Sequence, residues 1–119
     1  VTNGDVFTWE NLWPVIARAF AMPVGLPHPM PLARIMPGHS GTWDTIVARQ
    51  GLKPLTLDRL VSGSWQFADF AFSRTHSTSS LLSTIKIREA GFGDCIDTEA
   101  SLAWWLGHMQ EQKILPPAA

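Results

Sequence analysis

The amino-acid sequence predicts a mainly α-helical chain of five or six short helices with little strand. Apolar residues recur at helical spacing in at least four stretches, and no stretch alternates convincingly between apolar and polar. Proline and glycine then cut these stretches into short lengths.

The elements follow in order. Residues 1–3 read as the end of a strand. Trp9, Leu12, Trp13, Ile16 and Phe20 share one side of a helix over residues 9–21, with Thr8 as its N-cap. Pro14 conflicts with that helix, which either begins at Glu10 or Asn11 or is kinked. Residues 22–37 hold five of the nine prolines and form an extended loop with one helical turn at 32–36. Trp43, Ile46 and Val47 make a short stripe that starts after Ser40 or Thr42 and stops at Gly51, a left-handed C-cap. Beyond Pro54, Leu57, Leu60 and Val61 give one or two more turns. Residues 64–73 are apolar nearly all round apart from Gln66 and Asp69, which predicts a helix sandwiched on two sides. Residues 73–80 are a Ser/Thr-rich loop or cap. Leu81, Leu82 and Ile85 lie on a helix ending at Gly91. Asp97 or Thr98 caps a last helix whose face is Leu102, Trp105, Leu106 and Met109; Lys113 suits its negative pole, and Pro116-Pro117 end it.

The 119 residues make one domain at most, with a globular composition of 45% hydrophobic and 16% charged side chains. Nine Lys and Arg against ten Asp and Glu, without a basic cluster, exclude nucleic acid and an anionic membrane as partners. No apolar run reaches the ~18 residues that span a bilayer. Cys95 stands alone, which excludes an internal disulfide and accords with a cytoplasmic setting. The chain opens Val1-Thr2-Asn3-Gly4-Asp5, with neither a leader-like segment nor a methionine, so a processed or trimmed piece is expected. Six Trp and six Phe, with no Tyr, are more aromatic surface than a small helical core hides. An exposed apolar patch or self-association is therefore expected.

Recognisable chemistry is absent. His28, His39, His76 and His108 form no i, i+3 or i+4 pair, so no metal site is expected. Ser40, Ser62 and Ser64 lack a nucleophile turn, and no phosphate-cradling glycine loop occurs; Gly91-Phe92-Gly93 suits a helix C-cap better. Most carboxylates sit where capping explains them. Asp69, in an apolar stretch, fits either a buried hydrogen-bonded role or a site role.

Five motifs in order carry a resemblance. Asn3-Gly4-Asp5-Val6-Phe7 is followed by Trp9 and Leu12-Trp13. Then come Trp43-x-x-Ile46-Val47 with Gly51-Leu52-x-Pro54, Trp65-x-Phe67-x-Asp69, the helix STIKIREAGF over residues 83–92, and Trp105 with Ile114-Leu115-Pro116. This series resembles the C-terminal part of progesterone 5β-reductase and iridoid synthase-like enzymes, members of the extended short-chain dehydrogenase/reductase superfamily. Gln66 replaces an aromatic of the W-W-F-x-D segment, and the proline-rich residues 22–37 depart from the family's more acidic stretch.

The resemblance implies that residues 1–119 are the substrate-side part of a Rossmann-type α/β reductase whose cofactor domain is absent from this chain. The full-length protein would bind NADPH or NADH and use an upstream Tyr and Lys; this chain would hold no catalytic or cofactor-binding residue and be inactive alone. Its partners would be its own N-terminal Rossmann domain and a small hydrophobic carbonyl or enone compound. Trp65, Gln66, Phe67 and Phe70 are the candidate substrate wall, since a helix apolar around its circumference can pack on one side and face a ligand on the other. Gln66 would add a donor and an acceptor. The bland reading, that these rings are all core, stays open. A second reading is a standalone helical module that binds a ligand or protein through exposed tryptophans.

Overall fold

The computed structural model describes residues 3–72 and 82–118. Residues 1, 2, 73–81 and 119 lie outside them, and with them most of the expected strand end, the expected Ser/Thr-rich loop and Leu81. The described residues form seven α-helical segments and no strand: α1 (Trp9–Ala19), α2 (Leu32–Ile35), α3 (Ser40–Gln50), α4 (Leu57–Val61), α5 (Ser64–Phe72), α6 (Ile85–Glu89) and α7 (Thr98–Glu111), with a 3-10 turn at Met36–His39. The mainly helical class read from periodicity is what the structure shows.

They belong to two compact units. Residues 3–24, 82–109 and 118 make the first, and residues 25–72 and 110–117 the second.

In the first unit, Thr8 caps α1 as expected, its hydroxyl accepting from the Asn11 N–H at 3.2 Å. The helix starts at Trp9 and runs through Pro14, so neither later start is needed. Leu12 and Val15 are buried. α1 ends with Ala21 at φ +52°, the Met22 N–H donating to the Ala17 carbonyl and the Ala21 N–H to the Arg18 carbonyl. This is a Schellman closure without glycine. α6 ends the same way around Gly91 at φ +90°, the Phe92 N–H donating to the Ile87 carbonyl.

The second unit holds the core. Trp43 of α3 is buried with Leu52 and Leu57, and Ile46, Val47, Leu60, Val61 and Trp65 pack around them. Trp43 satisfies its indole N–H on the Leu55 carbonyl at 2.7 Å, so its burial strands no donor. Gly51 at φ +60° closes α3, and the chain turns at once to supply Leu52. Thr56 caps α4 through the Arg59 N–H. The Lys53 N–H donates to the Lys113 carbonyl at 2.7 Å, tying the residues beyond α7 to the loop after α3.

The same closure with different residues makes a paired test. Ala21→Gly should stabilise the protein by about 1 kcal/mol by removing Cβ strain, and Gly51→Ala should destabilise it by a similar amount. Urea unfolding midpoints measure both, and a matching sign for the two would contradict this account. Trp43→Ala should cost about 3–5 kcal/mol by opening a cavity in the core.

Candidate functional site

α5 has two faces. Trp65, Ala68 and Asp69 are half-buried on one side, while Gln66, Phe67 and Phe70 are exposed on the other. Residues three and four apart share a helix face, so Gln66 and Phe70 are neighbours, as are Phe67 and Phe70. Phe67 is 65% exposed and Phe70 59%. The structure thus brings together three of the four candidate residues and places the fourth, Trp65, against the Trp43 core. The expected two-sided sandwich is covered on one side, and the opposite side is open.

Asp69 orients this arrangement. Its two carboxylate oxygens accept from the Leu32 N–H at 2.6 Å and the Ala33 N–H at 3.0 Å. Pro31, which precedes α2, offers no capping side chain, so α5 caps α2 from across the unit. Of the two roles open for Asp69, this is the structural one. Beside it, Pro29, Met30, Pro31 and Asp69 line an open depression of about 420 Å³.

A separate network in the first unit escaped the sequence reading. The Asp5 carboxylate accepts from the Thr98 N–H at 2.8 Å and from the Thr98 hydroxyl at 2.7 Å. Asn3 donates its side-chain amide to the same hydroxyl at 3.0 Å and accepts from the Ile96 N–H at 2.8 Å. Asp97 supplies the local N-cap of α7, accepting from the Ala100 N–H. Gly4 sits at φ +87°, a conformation that favours glycine, and a Cβ there would lie 3.1 Å from the Cys95 sulfur, which would have to give by a few tenths of an ångström. Capping pairs between residues so far apart in sequence leave no local spacing signal.

Also unforeseen was the ring cluster on α7. Trp104 stacks on His108 with centroids 5.1 Å apart and planes 5° apart, and Trp105 meets Trp104 edge-on at 4.7 Å. Trp105, expected on the helix's covered face, is 51% exposed.

The first unit also contains a small cleft of about 10 Å³, room for about one water, lined by Gly4, Thr84, Ile87, Arg88, Phe92 and Asp94. Among the described residues, no three His, Cys, Asp or Glu side chains lie together to hold a metal ion. No helix among them is long and apolar enough to cross a membrane.

What this geometry offers is an exposed apolar surface at Phe67 and Phe70 with Gln66 beside it. Comparison with known proteins shows what the chain is similar to. The chain is homologous to part of the iridoid synthase-like enzymes, as its ordered motifs indicated. An (S)-8-oxocitronellyl enol synthase of Camptotheca acuminata is 32% identical over 119 residues, covering 97% of this chain and 29% of that enzyme. Namesakes from Antirrhinum majus and Nepeta cataria are 32% and 30% identical, each covering 98% of this chain. The chain spans less than a third of the length of these relatives. No protein-family profile matches it.

Two measurements check the caps. The Thr98 N–H, followed by its hydroxyl, holds the Asp5 carboxyl below its ordinary value of 3.8. A lowered carboxylate value stabilises the fold above the unfolded value, and that contribution is lost as pH falls through the folded one. Carbon-detected NMR titration should therefore place Asp5 below 3.8, and Asp5→Asn should flatten the pH dependence of α7 amide exchange below that point. Asp69→Ala should cost about 1–2 kcal/mol by leaving the Leu32 and Ala33 donors unpaired.

Proposed function

We propose that this chain is the substrate-side portion of a larger NAD(P)H-dependent short-chain reductase that acts on a small hydrophobic carbonyl or enone compound. The observation that carries the reading is the in-register similarity to (S)-8-oxocitronellyl enol synthases along 97–98% of the chain. The chain contains no tyrosine, so the tyrosine that the resemblance calls for must come from elsewhere in the parent protein. Cofactor binding and hydride transfer are assigned to that part, together with a cytoplasmic location.

In this reading the exposed side of α5 forms a wall of the substrate pocket. Phe67 and Phe70 supply rigid apolar area, and Gln66 beside them offers one hydrogen-bonding group. Trp65 acts behind that wall, fixing α5 on the Trp43 core. The exposed tryptophans also favour a second reading, a standalone binding module, and a direct assay separates the two.

The full-length protein should oxidise NADPH in the presence of an α,β-unsaturated aldehyde or ketone. The 119-residue chain alone should do neither that nor bind NADPH in calorimetry. Micromolar cofactor binding by the isolated chain would falsify the division of labour. In the active full-length enzyme, Phe67→Ala should raise KM about three- to tenfold and leave cofactor affinity unchanged, as expected for lost ground-state contact. An unchanged KM removes α5 from the pocket.

A further inference from the structure

We propose that the ring cluster of α7, Trp104, Trp105 and His108, is the seat on which the remainder of the longer polypeptide docks through an apolar helix or sheet face. The inference rests on the reading that the chain is one portion of such a protein, and it names the surface that joins the portions.

α7 is fourteen residues long; Leu102, Leu106, His108 and Met109 are half-buried on it, while Trp104 and Trp105 stay exposed. An isolated helix of this length is marginal in water, and most helical stability in proteins comes from covering an apolar face. This helix has such a face to cover. Residues 100–110 contain no Asp, Glu, Lys or Arg, and Trp104 is 59% exposed. The rings are already organised. Trp104 lies parallel on His108, and Trp105 stands edge-on to both, with centroids 4.7 and 6.1 Å away. Tryptophans fixed in this way lose little side-chain freedom when covered, which is why they recur at the centres of tight interfaces.

The uncharged span decides the kind of partner. A stretch without Asp, Glu, Lys or Arg is matched by apolar surface rather than by a charged groove. Length decides the source. Relatives that match 97–98% of this chain are more than three times as long, so most of each lies outside the matched segment. Exposed large apolar side chains are also concentrated in the unit that contains α7. Besides the two tryptophans they include Val6, Phe7, Leu82, Ile85 and Ile96. A contiguous polypeptide supplies one cover at high effective concentration, whereas a second copy of this chain must be gathered from solution.

Hydroxyl-radical footprinting read by mass spectrometry tests this, with the chain's other tryptophans as internal standards. Trp104 and Trp105 should oxidise at least about fivefold more slowly in the full-length protein than in the 119-residue chain, because interface cores exclude water. Trp65, packed against the core of the second unit, should oxidise at the same rate in both. Equal rates at Trp104 and Trp105 would overturn the proposal, and so would a slowing shared by Trp65. Slowing in the isolated chain that grows with its concentration would assign the face to a second copy instead, which also overturns it. Reductase activity measured on the same preparation separates the two readings. Protection without activity leaves the docking surface standing and removes the function; activity without protection does the reverse.

Discussion

One carboxylate fixes the candidate site. Asp69 is half-buried in an apolar segment, and a carboxylate withdrawn from water without hydrogen bonds is costly. It finds them in the two N–H groups at the start of α2, where the helix leaves its donors unpaired. This single choice sets the rotation of α5 about its axis. With Asp69 turned toward α2 and Trp65 toward Trp43, Gln66, Phe67 and Phe70 are left with nowhere to point but outward. The open aromatic side follows from satisfying the carboxylate.

A second constraint is the shortage of cover. Five hydrophobic side chains are buried among the described residues, in a chain whose composition is 45% hydrophobic. Two of the five belong to the first unit. Fully burying one large apolar side chain is worth about 1.5–3 kcal/mol, so so small a core leaves local hydrogen bonding to hold much of the shape. The helix ends carry that burden here, through Thr8, Thr56, Asp5, Asp69 and Asp97 at N-termini and the left-handed closures at C-termini. Trp9, Trp13, Trp104 and Trp105 stand at the surface.

Most of the fold was legible because its signals are local. Thr8, Gly51 and Gly91 punctuate helices where propensity says they should, and the stripe of Trp43, Ile46 and Val47 packs as its spacing implies. The single turn expected at 32–36 is present as α2 and the 3-10 turn that follows it. The misses share a cause. Ala21 ends α1 in a conformation usually marked by glycine, so no residue announced it. The Asp5–Thr98 pair joins residues 93 positions apart, and Asp69 reaches 36 and 37 positions back. Periodicity cannot see such pairings. Of the candidate wall, the apolar character of α5 was readable, but which of its residues face outward was not. That depends on where Asp69 turns, and its partners are backbone groups that any sequence would offer.

The tie between Asp5 and Thr98 has a consequence for how the chain is made. Closing a loop costs entropy that grows with the logarithm of its length, so a contact across 93 residues is among the last to become favourable. During synthesis Asp5 must wait for the 93 residues that follow it up to Thr98 before it has a helix to cap. Until then Asp5 and Asn3 remain in water, and α7, when it emerges, has only Asp97 to begin it. The order of assembly is thus imposed by topology: the second unit can complete its core around Trp43 from nearby residues, while the first unit is finished by its two most distant segments.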